Sequence, residues 1–447
     1  MSDTRGAAVP AFASTTGQVL SRSAARSPNR LALTFAGRSW TYAELDRAAG
    51  RVAAALLARG LAPGDRVAAF GHNSDAYVLL YLGCAKAGLV HVPVNFNARR
   101  DELIYLLTQS EPRIAFVDHS LAEHVDAVGG HLGGLSLGPL HDGAGDDDVL
   151  ARATDPAGTV HEEDGVRDTD LVQLLYTSGT TSQAKGAMLT HRSLVHEYVS
   201  AVVAFELSDR DTPLHSLPLY HSAQLQCFLM PALAVGATNH LLPAPDLDEV
   251  FDRVPRDGID SLFLPPTVWV GVANHPRFGE ADLSGLRKAF YGASIMPVPV
   301  LQRLQRRLPD VRFFKRFGQS EIGPLATVLR PEEHAARPGS IGRSVLSVQT
   351  RVVDRIKDVI NTGGVLVASR EVEDALYGHD AVAEVAVVGL PHERWIEAIA
   401  AVVVPAREVE ADELPKNASG KLLKRELRAA LGGSASAVGS TGGVVGE

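Results

Sequence analysis

The chain has 447 residues, too many for one ordinary domain. Its apolar fraction of 45% is ample for a core, and 21% charged residues are too few for a disordered chain. With 43 basic and 52 acidic side chains the net charge is −9, which argues against broad nucleic-acid binding. The two cysteines, Cys84 and Cys227, stand in apolar stretches and read as buried free thiols, not a disulfide. No Cys/His spacing reads as a zinc site, and no run approaches the ~18 apolar residues of a membrane span. The start, MSDTRGAAVPAF, lacks a basic-then-apolar leader, so the expected location is the reducing cytoplasm.

Residues 1–20 are small and polar and are expected to form a ragged start. Residues 30–36 and 39–41 read as a hairpin. Thr41-Tyr42-Ala43-Glu44 has the form of a capping box opening a helix to about Arg59, with Gly60 stopping it. Strands are expected at 65–70, 90–94 and 113–117, and helices at 74–87, ended by Gly88, and at 100–109. The Gly- and Asp-rich residues 128–148 read as a surface excursion. Strand and helix keep alternating to about residue 330, the pattern of an α/β protein with mostly parallel sheets flanked by helices. A second compact α+β unit is expected from about Asp354, with a helix at 369–376 and strands at 382–388 and 398–404. The division is then a large domain, 1–353, and a small mobile one, 354–447, ending in a flexible tail after Leu431.

The most informative stretch is LLYTSGTTSQAKGAMLTH, residues 174–191. An apolar strand at 171–176 runs into five hydroxyl side chains, Thr177, Ser178, Thr180, Thr181 and Ser182. Gly179 stands among them, and Lys185-Gly186 closes the segment. Backbone N–H groups that can approach closely, hydroxyl donors and one ammonium are what a polyphosphate needs. A polar surface turn that happens to hold a lysine is the competing reading. The GxxxxGK[ST] loop does not fit, because Gly186 follows the lysine and no Ser or Thr comes next.

The segment resembles the YTSGTTGxPKG signature of the adenylate-forming superfamily: acyl-CoA synthetases, firefly luciferase and peptide-synthetase adenylation domains. Ser182 replaces the family's glycine and Ala184 its proline, changes that stiffen and loosen the loop respectively. Further clusters follow in the family's order. Pro218-Leu219-Tyr220-His221 resembles the segment that lines the acyl pocket and senses whether carboxylate and ATP are bound. Tyr291-Gly292-Ala293-Ser294 resembles the adenine and acyl-pocket wall, and Trp269 falls in another stretch expected to line that pocket. Phe317-Gly318-Gln319-Ser320-Glu321 resembles YGxTE. There Phe317 keeps a ring for adenine and Ser320 a hydroxyl for phosphate. Glu321 is a carboxylate for Mg²⁺, a cation that takes few protein ligands.

Asp354-Arg355 resembles the hinge, with Arg355 also on the nucleotide side, and Gly363-Gly364 resembles the glycine loop on the coenzyme A side. Pro415 to Lys421 resembles PKxxxGK, whose last lysine, here Lys421, bridges the acyl carboxylate and α-phosphate during adenylation. The family's GGENV has become Gly363-Gly364-Val365-Leu366-Val367. Neither its GEI strand nor the TGD motif, whose Asp binds ribose, occurs in this chain. A second stretch is short between Val404 and Pro415. The expectation is a chain that lacks segments which a working relative has, with a real internal deletion as the competitor.

The resemblance is greatest to a bacterial fatty-acyl-CoA synthetase. It implies attack of a carboxylate on Mg·ATP to give acyl-AMP and pyrophosphate, then displacement of AMP by coenzyme A. Thr177, Ser178, Gly179, Thr180, Thr181 and Lys185 would hold the β- and γ-phosphates. Glu321, His221 and Lys421 would be the catalytic group. The acyl-pocket stretches, 220–226, 265–270 and 291–294, hold no basic residue except His221, so a monocarboxylic aliphatic or aryl acid is expected over malonate, with a fatty acid preferred. Loading of a carrier-protein thiol, or nucleotide binding without catalysis, are the other readings. Pairing with a second copy stays open.

Overall fold

The computed structural model describes residues 14–141, 148–177, 184–350, 359–362, 365–379, 382–392 and 396–405. Ser178, Gly179, Thr180, Thr181, Asp354, Arg355, Gly363, Gly364 and Lys421 lie outside the described residues. The described residues fall into two compact units. One takes those within Met1–Leu264, Asp282–Tyr291 and Asp310–Thr350, and the other those within Pro265–Ala281, Gly292–Pro309 and Arg351–Glu447.

The first described element is a helix, Thr16–Arg26, which corrects the expected ragged start over residues 16–20; residues 1–13 lie outside the described residues. Thr15 caps the helix, its hydroxyl accepting from the Gln18 amide, and Leu20 is fully buried. The small residues there serve close packing. A Cβ on Gly17 would meet Glu163 Oε2 at 2.2 Å. The hairpin Leu31–Phe35 and Arg38–Thr41 follows as expected, and Thr41 and Glu44 form the capping box of the helix Tyr42–Ala58.

A six-stranded sheet runs in the order Ser136–Pro139, Ile114–Val117, Arg66–Phe70, Val90–Val94, Leu171–Thr177, Lys185–Thr190. Its neighbours are parallel except for the last pair, which is an antiparallel hairpin. Ser136–Pro139 corrects the reading of 128–148 as excursion alone. Backbone pairing with Ile114–Val117 needs no large side chains, so a Gly-containing stretch can supply an edge strand.

A nine-stranded sheet runs in the order Arg343–Ser344, Thr327–Leu329, Arg312–Phe317, Lys288–Gly292, Ser261–Phe263, Pro213–His215, Asn239–Leu241, Leu31–Phe35, Arg38–Thr41, parallel at its centre and antiparallel towards both edges. The helix Asp75–Lys86 touches strands of both sheets and is buried at every position. Its sequence, DAYVLLYLGCAK, has no polar stripe because it has no solvent face. Its one buried acid, Asp75, accepts two bonds from Arg38 at 2.7 Å and one from Trp40 Nε1 at 3.0 Å.

In the second unit, an antiparallel sheet takes the order Val365–Ala368, Val359–Thr362, Ile396–Pro405, Val382–His392, with the helix Ser369–Tyr377 against it. The helix and the two long strands agree with the sequence reading; the short hairpin is new. Among the described residues no helix is long and apolar enough to cross a membrane.

Candidate active site

The hydroxyl-rich segment leaves the six-stranded sheet between two paired strands. Thr177 and Lys185 face each other in register as the last paired residues of the two strands. Lys185 is exposed and Thr177 half-buried. Thr177 Oγ1 donates to Glu321 Oε1 at 3.0 Å, joining two motifs that are 144 residues apart. Glu321 is exposed, in a single 3₁₀ turn, Ser320–Ile322, just beyond the strand Arg312–Phe317.

Ser320 closes a second junction, its Oγ lying 2.8 Å from Ser222 Oγ. Ser222 follows Tyr220-His221 and precedes the π-helix Ala223–Leu229, a geometry that often marks functional sites. The loop ahead of it is fixed by Asn73, which accepts from the Leu219 amide at 2.7 Å and donates to the carbonyls of Leu217 and Leu242. The His221 amide donates to Pro218 O at 3.2 Å, and its Nδ1 accepts from the Ala223 amide at 3.4 Å. Burial, reinforced by the Arg316 charge, pushes the His221 imidazole down to about 4, so it is neutral at pH 7. The Tyr220 ring meets Phe96 edge-on at 5.2 Å between centroids, and Phe96 stacks on His72.

The YGxTE-like strand end is held by glycine. A Cβ on Gly318 would lie 2.0 Å from Pro324 O. Tyr291 is buried with its hydroxyl 2.9 Å from His334 Nε2. His334 Nδ1 is 2.8 Å from Arg330 O, so Nδ1 carries the proton and Nε2 accepts from Tyr291. The Tyr291 hydroxyl is thereby engaged within the fold. In the second unit, Trp269 is buried in the helix Pro266–Asn274, and Ala293 holds φ +67, a conformation that costs energy for a residue with a Cβ.

Sequence reading missed a buried polar group beside this site. Glu197, on the helix His191–Ala204, is 5% exposed, and its Oε1 accepts from Cys227 Sγ at 3.0 Å. Cys227 is a buried free thiol as expected, but its surroundings are not wholly apolar. Arg316 is 4% exposed. It lies over the Phe263 ring at 5.4 Å and donates from Nη2 to Pro324 O. Burial raises the Glu197 carboxyl to about 8, against smaller downward pulls from the Cys227 thiol, Arg316 and the Leu325 amide. The only signal in the sequence was two charged residues inside apolar stretches.

The chain was compared with known proteins. The family model described as AMP-binding enzyme matches residues 20–372, and the AMP-binding enzyme C-terminal domain matches 371–434. A feruloyl-CoA synthase of Amycolatopsis sp is 32% identical over 92% of this chain and 98% of its own length. An indoleacetate–CoA ligase of Aromatoleum aromaticum is 28% identical over 92% and 96%. These alignments run over 495 and 497 residues, more than the 447 of this chain, so both relatives carry residues without a counterpart here. The crystal structure of the anthranilate CoA ligase AuaEII with anthranoyl-AMP shares the fold, with a TM-score of 0.87 at 21% identity over 96% of this chain and 99% of that one. The nucleotide-loop motif, its junction with Glu321 and the match across most of the chain agree, and the chain belongs to the AMP-binding enzyme family, the adenylate-forming superfamily.

Proposed function

We propose that this chain is an AMP-forming acid–thiol ligase. It joins a carboxylic acid to ATP as acyl-AMP with loss of pyrophosphate, then passes the acyl group to the thiol of coenzyme A. The observation that carries the reading is the pair of side-chain bonds, Thr177–Glu321 and Ser222–Ser320. They gather the phosphate loop, the carboxylate turn and the His221 loop, three motifs far apart in sequence, at one place.

In this reading the segment from Thr177 to Lys185 wraps the β- and γ-phosphates, and the ammonium of Lys185 balances their charge. Ser320 offers its hydroxyl to phosphate. His221, neutral at pH 7 with Nδ1 accepting from the Ala223 amide, keeps its proton on Nε2 and donates it to the acyl carboxylate without adding charge. Glu321 fits a magnesium ion because it is an exposed acid beside the phosphate loop, and such an ion keeps most of its waters. Magnesium would neutralise phosphate charge there. Phe317 offers its ring to adenine and Tyr220 its ring to the acyl body. By the motif each matches, Lys421 would serve the first step and Gly363-Gly364 the thiol side.

The acid has an apolar body. The aromatic acids in the names of the two relatives favour an aromatic acid over the fatty acid expected from the sequence. The test is Lys421→Ala, assayed for acid-dependent pyrophosphate release and for thioester formation from supplied acyl-AMP. The first should fall by at least a hundredfold and the second stay within a few-fold. Equal loss in both would refute the role of Lys421. ATP binding without acid-dependent pyrophosphate release in the unaltered chain would refute the ligase reading.

A further inference from the structure

The expectation of a monocarboxylic acid rested on finding no basic residue but His221 in the acyl-pocket stretches. The fold supplies one from elsewhere. Arg316 stands on the strand Arg312–Phe317, four residues ahead of Ser320, whose hydroxyl lies 2.8 Å from that of Ser222, the residue after His221, and its charge adds to the burial that lowers the His221 imidazole. Its side chain is anchored on one side by Phe263 and by the Pro324 carbonyl. Its Nε and Nη1 are buried and make no hydrogen bond, and among the described residues no carboxylate lies within ion-pair distance of it. A buried guanidinium with two unused donors and no counter-ion is costly in the empty protein.

Glu197 is the acid nearest in effect, and it does not relieve this. Its Oε2 is also buried without a partner, pressed against Gly323, where a Cβ would lie 2.4 Å away. The carboxyl is pushed up to about 8, so at neutral pH it carries a proton and is a donor, not a counter-charge. The cluster is therefore a positive group of donors without an acceptor.

Resting on the ligase reading above, we propose that Arg316 and Glu197 bind a second oxyanion on the acid substrate, so that the chain prefers acids carrying a carboxylate or comparable group at the far end of an apolar body. The oxyanion accepts from Arg316 Nε or Nη1 and from Glu197, and it supplies the charge that the buried guanidinium lacks. A site built this way rejects an analogue without the oxyanion, because its donors then stay unpaired.

The test uses the full chain with ATP and two matched sets of acids, read as kcat/KM for pyrophosphate release. One set is 3-phenylpropanoic acid with its 4-hydroxy and 4-carboxy derivatives, and the other octanoic and octanedioic acids. At least one dicarboxylic acid should exceed its parent by a hundredfold or more. Arg316→Met should abolish that preference, bringing each dicarboxylic acid and its parent to within a few-fold of one another. Parents that match or exceed both dicarboxylic acids in the unaltered chain would overturn the proposal, as would a preference that survives Arg316→Met. The unaltered chain's own ratio decides the matter if the variant does not fold. Release of pyrophosphate without a dicarboxylate preference sinks this proposal alone; no release with any acid sinks the ligase reading as well.

Discussion

Gly318→Ala is the smallest change that should damage the site. The added methyl would stand 2.0 Å from Pro324 O, 2.5 Å from its carbonyl carbon and 2.9 Å from the Leu325 amide nitrogen. All three are backbone atoms, so no side chain can swing away. Reaching even 3.0 Å from the oxygen requires a shift of roughly 1 Å in the turn between Phe317 and Leu325. That turn carries Ser320 and Glu321, and its Pro324 carbonyl also accepts from Arg316. Overpacking of this kind costs about 1–3 kcal/mol. The melting temperature should fall by a few degrees, since a chain this long shifts by less than about 2–4 °C per kcal/mol. A 1 Å displacement of catalytic groups costs about a hundredfold in rate. Pyrophosphate release should therefore fall far more than stability. Gly339→Ala, where a Cβ meets nothing within 4 Å, is the matched control and should change neither. Unaltered turnover in Gly318→Ala would refute the claim that this turn is held by the absence of a side chain.

Thr177→Val removes the donor to Glu321 while keeping the shape. The loss is about 1 kcal/mol at this half-exposed pair, or about fivefold in KM for ATP; an unchanged KM would separate Glu321 from the phosphate loop. Glu163 offers a pH test away from the site. Burial raises its carboxyl from 4.5 to about 7, against the Thr15 hydroxyl and Lys86. The folded protein keeps that proton while the unfolded chain releases it, so this group lowers stability as pH rises from about 4.5 to 7. Glu163→Gln should flatten the fall in denaturant midpoint over that interval, and an identical slope would count against the burial argument.

Local chemistry made much of this fold readable. The Thr41-x-x-Glu44 box, the stop at Gly60 and the strand leading into Thr177 are decided by neighbours a few residues apart, and each is found as read. The helix Thr16–Arg26 was not readable, because its small residues look polar until Glu163, almost 150 positions later, packs against Gly17. The edge strand Ser136–Pro139 depends on backbone pairing that leaves no mark on composition. At the site, the resemblance named Thr177, Ser320 and Glu321, but the bonds joining them to one another and to Ser222 exist only in the fold. Arg316 escaped notice because what makes it unusual is that its Nε and Nη1 are buried without hydrogen-bond partners, and a sequence does not record partners.

The strand Leu31–Phe35 has a consequence for how the protein is made. It lies parallel to Asn239–Leu241, so its inner partner leaves the ribosome more than 200 residues after it does. At about 5–20 residues per second that delay is roughly 10–40 s. Throughout it, the helix Asp75–Lys86, buried at every position in the finished fold, lacks the nine-stranded sheet beyond its hairpin Leu31–Thr41. The nascent chain therefore needs shelter at this stage, and slowing translation between codons 95 and 240 should increase its capture by chaperones and its loss to aggregation.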